Sequence, residues 1–374
     1  MNSRQISKEE YSRICEQGIL LDKTKYKRNQ KTKISVVIPY FNKGFFSITI
    51  LLRSIQNQSF KDIEIIFVDD GSYEEDIKNI LDAMKDDNRI ILIRHKERKT
   101  TLLTRVDGIR HASGEYIIQI DQDDMYLNNL LFEKLYKKAK ELNVDIVQFC
   151  YFFSFNKKNF NYRKLNIPKN VIIKQPELKT VFFVKKKDGN LGNIKSRAIW
   201  DKFVRRTTYL EAIEDLTDEY MNNKFHYYED TIMMFELSQI ANSYFFYEIA
   251  GYRHCKFNSL KTCDKNKIIR RELFVMNQFL FIKLLINKID PKYDRTFVNI
   301  ESIFRKCGTN VEFLNKKDLD LGLEVIETIL ELEKIYKNTN PLVLNCTNKL
   351  LKIFEIHIRK IPNVVNKFSL PPKK

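Results

Sequence analysis

The sequence predicts an α/β protein built on a Rossmann-like, doubly wound and mostly parallel β-sheet with helices on both faces. Two observations support this prediction. Short runs rich in β-branched residues alternate with helical stretches between Ile34 and Ile120. The runs are apolar at nearly every position, as in Ile63–Val68, which is typical of parallel strands that helices cover on both faces.

The predicted elements follow one another in a βαβ pattern. The strands are Ile34–Ile38, Ile63–Val68, Ile90–Ile93, Tyr116–Ile120 and Asp145–Phe149. The helices between the first four strands are Ile48–Gln56, Glu74–Met84 and Leu102–His111. Because ligands of such sheets bind beyond the carboxyl ends of the strands, the residues after each strand are the first candidates for a site.

The regularity of the pattern divides the chain into four parts. Residues 1–32 are a polar extension, residues 33–155 carry the βαβ pattern, and residues 156–264 are irregular, aromatic and rich in lysine. Residues 265–374 are predicted to be a helical C-terminal region, because apolar residues recur there at helical spacing. We expect the second part to bind one substrate and the third part to receive the other.

The composition narrows the class of protein. With 43% apolar residues the chain can fill a large core, and its net charge of +17 attracts anions. Six cysteines without a C-x-x-C pair predict reduced thiols, and residues 1–30 lack the apolar run of a signal peptide. The apolar stretch Phe274–Ile286 is shorter than the ~20 residues of a spanning helix. We therefore expect a cytoplasmic protein, with peripheral contact to an anionic membrane face left open.

Two groups of carboxylates follow predicted strands. Asp69 and Asp70 come after Val68, and Asp121, Asp123 and Asp124 come after Ile120. Acids gathered at one sheet edge repel one another unless a cation compensates them, and oxygen ligands suit Mg²⁺ or Mn²⁺. The sequence therefore predicts a divalent metal ion at this edge.

Five segments in register resemble family 2 glycosyltransferases with the GT-A fold, over roughly residues 33–155. They are Ile34–Lys43, Leu52–Gln58, Val68–Ser72, Ala112–Tyr116 and Asp121–Asp124. The resemblance implies a sugar transfer from a nucleotide-diphosphate donor, most commonly a UDP-sugar, to an acceptor hydroxyl. It also implies a dependence on Mn²⁺ or Mg²⁺ and inversion at the anomeric carbon.

The same resemblance assigns donor-side roles to single residues. Asp123 should bind the metal and Asp121 should lie near the ribose, while Asp124 should cap the following helix. Pro39 and Phe41 should line the donor site, with Phe41 against the nucleotide base unless it is an ordinary core residue. One acid of the pair Asp69 and Asp70 should accept a base N–H. Arg105 should face the phosphates.

On the acceptor side the resemblance points to a later acidic pair. Asp230 is the candidate base that takes the acceptor proton, beside Glu229, although the two acids could simply begin a helix. Trp200 is expected in the wall of the site, and His254 is a candidate for a further metal or phosphate contact.

Two other functions come into consideration. A nucleotidyltransferase would need a glycine-rich phosphate loop after the first strand, and Pro39–Lys43 supplies none. A non-catalytic protein of the same fold, holding nucleic acid or an anionic membrane through its basic surface, stays open as the alternative. The expected partners are a nucleotide-sugar donor and a glycan, lipid or protein acceptor, without a specific nucleic acid.

Overall fold

A computed structural model of the protein describes residues 32–154, 160–163, 167, 169–178, 182, 198–214, 216 and 229–255. All of these residues belong to one compact unit of the chain. The predicted N-terminal extension, the helical region 265–374 and the apolar stretch 274–286 lie outside the described residues. Within the described part, no helix has the length and apolar character needed to cross a membrane.

The N-terminal half folds as the predicted βαβ series. Its strands are β1 (Ile34–Tyr40), β2 (Ile63–Asp69), β3 (Ile90–Arg94) and β4 (Tyr116–Gln119). Its helices are α1 (Gly44–Gln56), α2 (Glu74–Asp86) and α3 (Thr101–His111). Each predicted element is present; α1 begins four residues earlier than predicted, at Gly44 instead of Ile48.

The second half adds strands of both directions to the same sheet. The strands are β5 (Met125–Tyr126), β6 (Ile146–Ser154), β7 (Phe160–Arg163), β8 (Ile172–Lys174), β9 (Lys202–Arg205) and β10 (Ser243–Cys255). The helices are α4 (Leu131–Leu142), α5 (Arg206–Glu214) and α6 (Glu229–Ile240). Strand β6 extends past the predicted end at Phe149, because it pairs with β7 and with the long strand β10.

The strands form one sheet in the order β3-β2-β1-β4-β9-β6-β10-β5. Strands β1 to β4 are mutually parallel, and β9 joins β4 and β6 in antiparallel pairing. The predicted α/β class and the parallel core are confirmed. Because both predicted halves contribute to one sheet, the boundary near residue 155 separates segments of sequence and not of the sheet.

The order of the strands reverses at β1. The chain runs outward from β1 through β2 to β3 and then returns to β4 on the other side of β1. A crevice therefore opens between the carboxyl ends of β1 and β4, which is where open α/β sheets bind their ligands. Tyr40 ends β1 and Gln119 ends β4, so the residues immediately after them border this crevice.

Helix α3 is fixed closely on the sheet beneath the crevice. Gly108 allows this approach, since a Cβ atom at its position would lie only 2.4 Å from Val37 Cγ1. Gly114, at the entrance to β4, is equally constrained, because a Cβ atom there would lie 2.7 Å from the backbone nitrogen of Ser35. The position of α3 matters because this helix carries Arg105.

Candidate active site

A pocket of about 220 Å³ occupies the crevice between β1 and β4. Seven of the predicted residues line it: Pro39, Phe41, Asp70, Arg105, Asp121, Asp123 and Glu229. Lining residues that the sequence did not single out include Arg98, Thr101, Thr104 and Gln122. The structure thus brings most of the predicted donor-side residues together, and Asp69, Trp200, Asp230 and His254 are not part of the lining.

The pocket lining includes an aromatic ring, that of Phe41. The guanidinium carbon of Arg98 lies 4.2 Å from the centroid of the Phe41 ring, in a cation–π contact. The backbone N–H of Phe41 donates to Gln122 Oε1 at 2.8 Å, which ties the end of β1 to the segment after β4. Phe41 is partly exposed and is therefore not an ordinary core residue.

Asp69 ends β2 and Asp70 follows it, and the two acids have different environments because successive residues of an extended chain point to opposite sides. Asp69 is fully buried, accepts from the Ser72 N–H at 3.0 Å and pairs with Arg94 Nε at 3.2 Å. Burial raises the pKa of Asp69 in spite of these partners. Asp70 instead lines the pocket and accepts from the Lys99 N–H at 2.8 Å. Of the predicted pair, Asp70 is the acid that faces the pocket.

Arg105 lines the same pocket and lies beside three of its neighbouring acids. Its Nη2 is 2.7 Å from Asp121 Oδ1, 3.6 Å from Asp230 Oδ1 and 4.0 Å from Glu229 Oε1. Its Nη1 donates to Gln119 Oε1 at 3.0 Å. Burial would lower the pKa of the guanidinium, but the surrounding carboxylates outweigh it and raise that pKa. One buried cation therefore faces three acids from the two halves of the sequence.

Glu229 and Asp230 begin α6. This helix start is the position that the sequence offered as the alternative to a catalytic role. Their position at a helix N-terminus is favourable for negative charge. Burial is the main cause that raises the pKa of Asp230 well above its ordinary value, and Glu229 adds to the effect. Asp230 Oδ1 accepts no hydrogen bond from the described residues. A carboxylate in such surroundings has a high affinity for a proton.

Asp123 and Asp124, which follow β4, have different environments. Asp123 pairs with Lys43, whose Nζ lies 3.0 Å from Asp123 Oδ2. Asp124 is buried and accepts from Tyr252 Oη at 2.6 Å, His254 Nδ1 at 3.0 Å and the Cys255 N–H at 2.7 Å. The expectation that Asp124 caps the following helix is wrong, because β10 engages its carboxylate and α4 begins only at Leu131.

Asp121, Asp124 and His254 form a candidate metal centre. One potential ligand atom from each lies within 4.8 Å of the other two. Burial raises the pKa of Asp124 to about 6, although the His254 hydrogen bond lowers it. Two carboxylates and an imidazole are ligands that Mn²⁺ accepts, and carboxylates also suit Mg²⁺. The structure therefore joins His254 to the acidic cluster, whereas Asp123, the residue predicted as the metal ligand, pairs with a lysine.

Trp200 forms the wall behind His254. Its ring stacks on Tyr252 with centroids 4.6 Å apart and on His254 with centroids 5.1 Å apart. Tyr151 contacts it edge-on at 4.6 Å. Tyr252 and His254 are two positions apart in β10, so their side chains lie on the same face of the strand. The indole of Trp200 therefore contacts both rings. Trp200 thus orients two groups that hydrogen-bond Asp124.

The sequence did not single out several residues that build the site. Lys43, His95 and Tyr252 each contact an acid of the site, and their partners are 25 to 128 positions away in the chain. The signal in the sequence was weak, since each is a lone polar or aromatic residue near a strand end. Only the pairing of the strands shows what each of them contacts.

Comparisons with known proteins agree with this arrangement. Residues 35–213 match the family model described as glycosyl transferase family 2. A cholesterol galactosyltransferase of Borreliella burgdorferi is 32% identical over 184 residues, which are 48% of this chain and 50% of that protein. A GalNAc(5)-diNAcBac-PP-undecaprenol beta-1,3-glucosyltransferase of Campylobacter jejuni is 36% identical over 110 residues, which are 29% of this chain and 35% of that protein. The match thus spans half or less of these curated relatives.

Solved structures agree on the fold. The crystal structure of Staphylococcus aureus TarS residues 1–349 has a TM-score of 0.55 at 15% identity, covering 88% of this chain and 91% of that one. The same fragment in complex with UDP-GlcNAc also gives 0.55, at 16% identity, with 88% and 92% covered. The parallel core, the crevice at the reversal of strand order and the matching family model lead to one conclusion: residues 35–213 form a glycosyl transferase family 2 domain.

Proposed function

We propose that the protein transfers a sugar from a nucleotide-diphosphate donor to an acceptor hydroxyl, with a divalent metal ion and with inversion at the anomeric carbon. The observation that carries the proposal is the set of side chains that one pocket brings together. Its lining offers an aromatic ring and a hydrogen-bond acceptor, Phe41 and Asp70, beside the acids Asp121, Asp123 and Glu229 and the cation Arg105. A nucleotide sugar needs partners of these kinds, for its base and for its sugar diphosphate.

Phe41, Arg98 and Asp70 support recognition of a nucleotide base. The Arg98 guanidinium lies 4.2 Å from the centroid of the Phe41 ring, so a base would stack on the free face of this pair, and a base N–H would donate to Asp70. Asp121 lines the same pocket and is proposed to lie near the ribose. UDP is the first nucleotide to test, because the TarS fragment of this fold was crystallised with UDP-GlcNAc.

The residues present fit a divalent metal ion beside the donor phosphates. Asp121, Asp124 and His254 are grouped closely enough to share one ion, and Asp123 is adjacent in sequence. Mn²⁺ or Mg²⁺ bound there would neutralise charge on the departing diphosphate. Arg105 contributes a permanent positive charge beside Asp121, and the fork geometry of its guanidinium suits phosphate oxygens.

Asp230 is proposed as the base. Its carboxylate takes the proton of the acceptor hydroxyl while the hydroxyl oxygen attacks the anomeric carbon. The new C–O bond forms as the bond to the diphosphate oxygen breaks, so the configuration inverts and the diphosphate departs with the bonding electrons. The raised pKa of Asp230 supports this role, because a carboxylate with high proton affinity is the stronger base.

The acceptor binds on the side of Trp200, Glu229 and His254 in this proposal. The names of two relatives specify cholesterol and an undecaprenol-linked glycan. These names support testing lipid acceptors before free glycans and proteins. Hexose donors come first for the same reason, since the same names specify galactosyl and glucosyl transfer.

Calorimetric titration of UDP with and without Mn²⁺ tests the donor site. We expect binding that requires Mn²⁺ in the wild type and is lost in Asp121→Ala, because Asp121 is one of the three grouped ligands. Asp86→Ala is the matched control, because Asp86 is exposed on the last turn of α2, and it should bind UDP as the wild type does. If the wild type bound UDP equally well without any divalent ion, the metal-dependent donor site would be refuted.

A further inference from the structure

The side chain of His95 is almost completely buried between two carboxylates, just after β3. Its Nδ1 lies 3.0 Å from Asp70 Oδ1, and its Nε2 lies 2.8 Å from Asp107 Oδ2. Asp70 follows β2 and Asp107 belongs to α3. The imidazole therefore joins the pocket-facing acid to the helix that carries Arg105.

We infer that His95 is a positioning residue for donor recognition: as an imidazolium it donates to both carboxylates and fixes Asp70 with one oxygen left to accept a base N–H. This inference rests on the proposed function, because it assigns the geometry of the base site to a residue that does not line the pocket. It makes the base site and α3 one hydrogen-bonded unit.

The hydrogen-bond arithmetic supports the charged form. Ionised carboxylates only accept, so each ring nitrogen must carry a proton to bond its partner, and a neutral imidazole has only one N–H. Burial would lower the pKa of His95, but the hydrogen bonds with Asp107 and Asp70 outweigh it and raise that pKa. The carboxylates of Asp70 and Asp107 also compensate the positive charge of the buried imidazolium.

Cationic side chains also lie near Asp70 and Asp107. Lys99 Nζ lies 3.6 Å and Arg110 Nη1 3.8 Å from the carboxylate of Asp107. Arg98 Nε lies 4.0 Å from Asp70 Oδ2, and its guanidinium is the one that covers Phe41. The Lys99 N–H shares Asp70 Oδ1 with His95, so that oxygen is occupied and Oδ2 is the oxygen turned towards Arg98.

The test compares two histidine-to-glutamine substitutions in the full-length protein. Glutamine is uncharged and carries both of its N–H donors on one nitrogen, so it cannot replace the two ring nitrogens that face Asp70 and Asp107. In His95→Gln we therefore expect Mn²⁺-dependent UDP binding to weaken about tenfold. Binding of inorganic pyrophosphate with Mn²⁺ should change less than about twofold, because it lacks a base. His111→Gln is the matched control, since His111 Nδ1 lies near the Asp107 carbonyl on the same helix but outside the pocket.

Each outcome decides one proposal. Equal UDP affinity in His95→Gln and wild type would overturn the positioning role, and so would an equal loss of UDP and pyrophosphate binding, which indicates general damage. A wild type that binds pyrophosphate but no UDP, GDP or other nucleoside diphosphate would refute the proposed donor site and this role with it.

A measurement on the free wild-type protein does not depend on any variant folding. In ¹⁵N NMR spectra at pH 7 we expect both ring nitrogens of His95 to be protonated, with a titration midpoint above the ordinary 6.5. A neutral imidazole with a single N–H at pH 7 would overturn the inference.

Discussion

Arg105 Nη2 lies 2.7 Å from Asp121 Oδ1 and links α3 to the acidic segment after β4. The same nitrogen approaches the two acids that begin α6. Arg105 is almost inaccessible to solvent, so its charge acts through a medium that screens it poorly. It therefore compensates three acids that would otherwise repel one another.

Replacing Arg105 by methionine should destabilise the fold. The substitution keeps an apolar stem but leaves three carboxylates without their buried cation, and breaking a buried pair in this way costs about 3–5 kcal/mol. Urea denaturation followed by circular dichroism measures the change in free energy of unfolding. Arg110→Met on the same helix is the control: Arg110 is exposed, and its loss should cost less than about 0.5 kcal/mol. Equal effects of the two variants would contradict the central role of Arg105.

Asp230→Asn should slow turnover strongly and spare donor binding. Asparagine preserves the shape of the side chain but cannot take a proton, and a positioned base contributes about 10²- to 10⁴-fold. We expect kcat to fall by that factor while the Kd for UDP with Mn²⁺ changes less than about threefold. Glu211→Gln, on the exposed face of α5, is the control and should leave both constants unchanged. Turnover near the wild-type rate would refute the assignment of the base.

Much of this arrangement was predictable, and the limits have a physical origin. The βαβ order is encoded locally, since β-branched apolar runs and helical periodicity are properties of neighbouring residues. The motif resemblance placed Phe41, Asp70 and Asp121 at one pocket because they follow strand ends that must meet, and Arg105 reaches the same pocket from α3. The choice of Asp70 over Asp69 needed the exact strand end, which decides the face to which each side chain points.

Contacts between distant segments could not be predicted in the same way. Asp124 bonds Tyr252 and His254 only because β10 pairs with β5, and nothing near Asp124 in the sequence specifies that partner. A single carboxylate after a turn is equally compatible with capping a helix, which is why its role was predicted wrongly. Lone histidines such as His95 carry no periodic signal, and their function depends on which charges the fold places around them.

The rate of sugar transfer should fall at low pH, and this fall should occur at a higher pH than the pKa of an ordinary aspartate. Asp230 works as a base only when it is deprotonated, and its pKa is raised by burial and by Glu229. The deprotonated fraction therefore grows as pH rises through the raised pKa, so kcat should increase with pH and level off above it. We expect a midpoint well above 3.8 in a kcat profile at saturating donor and Mn²⁺. A profile that is flat from about pH 4.5 to 8 would contradict the assignment.

Gly108→Ala should destabilise the protein although alanine favours helices. Intrinsic propensity would stabilise α3 by about 1 kcal/mol, but the new Cβ would lie 2.4 Å from Val37 Cγ1 and 3.1 Å from Val68 Cγ2. Overpacking of this kind costs about 1–3 kcal/mol and moves α3, with Arg105, away from the sheet. Thermal unfolding of Gly108→Ala, Val37→Ala and the double variant separates the two effects. In the Val37→Ala background the closer of the two methyl groups is gone, so the same substitution at Gly108 should cost less stability than in the wild type. If it destabilised both backgrounds equally, close packing of α3 on β1 would not be the reason for glycine at this position.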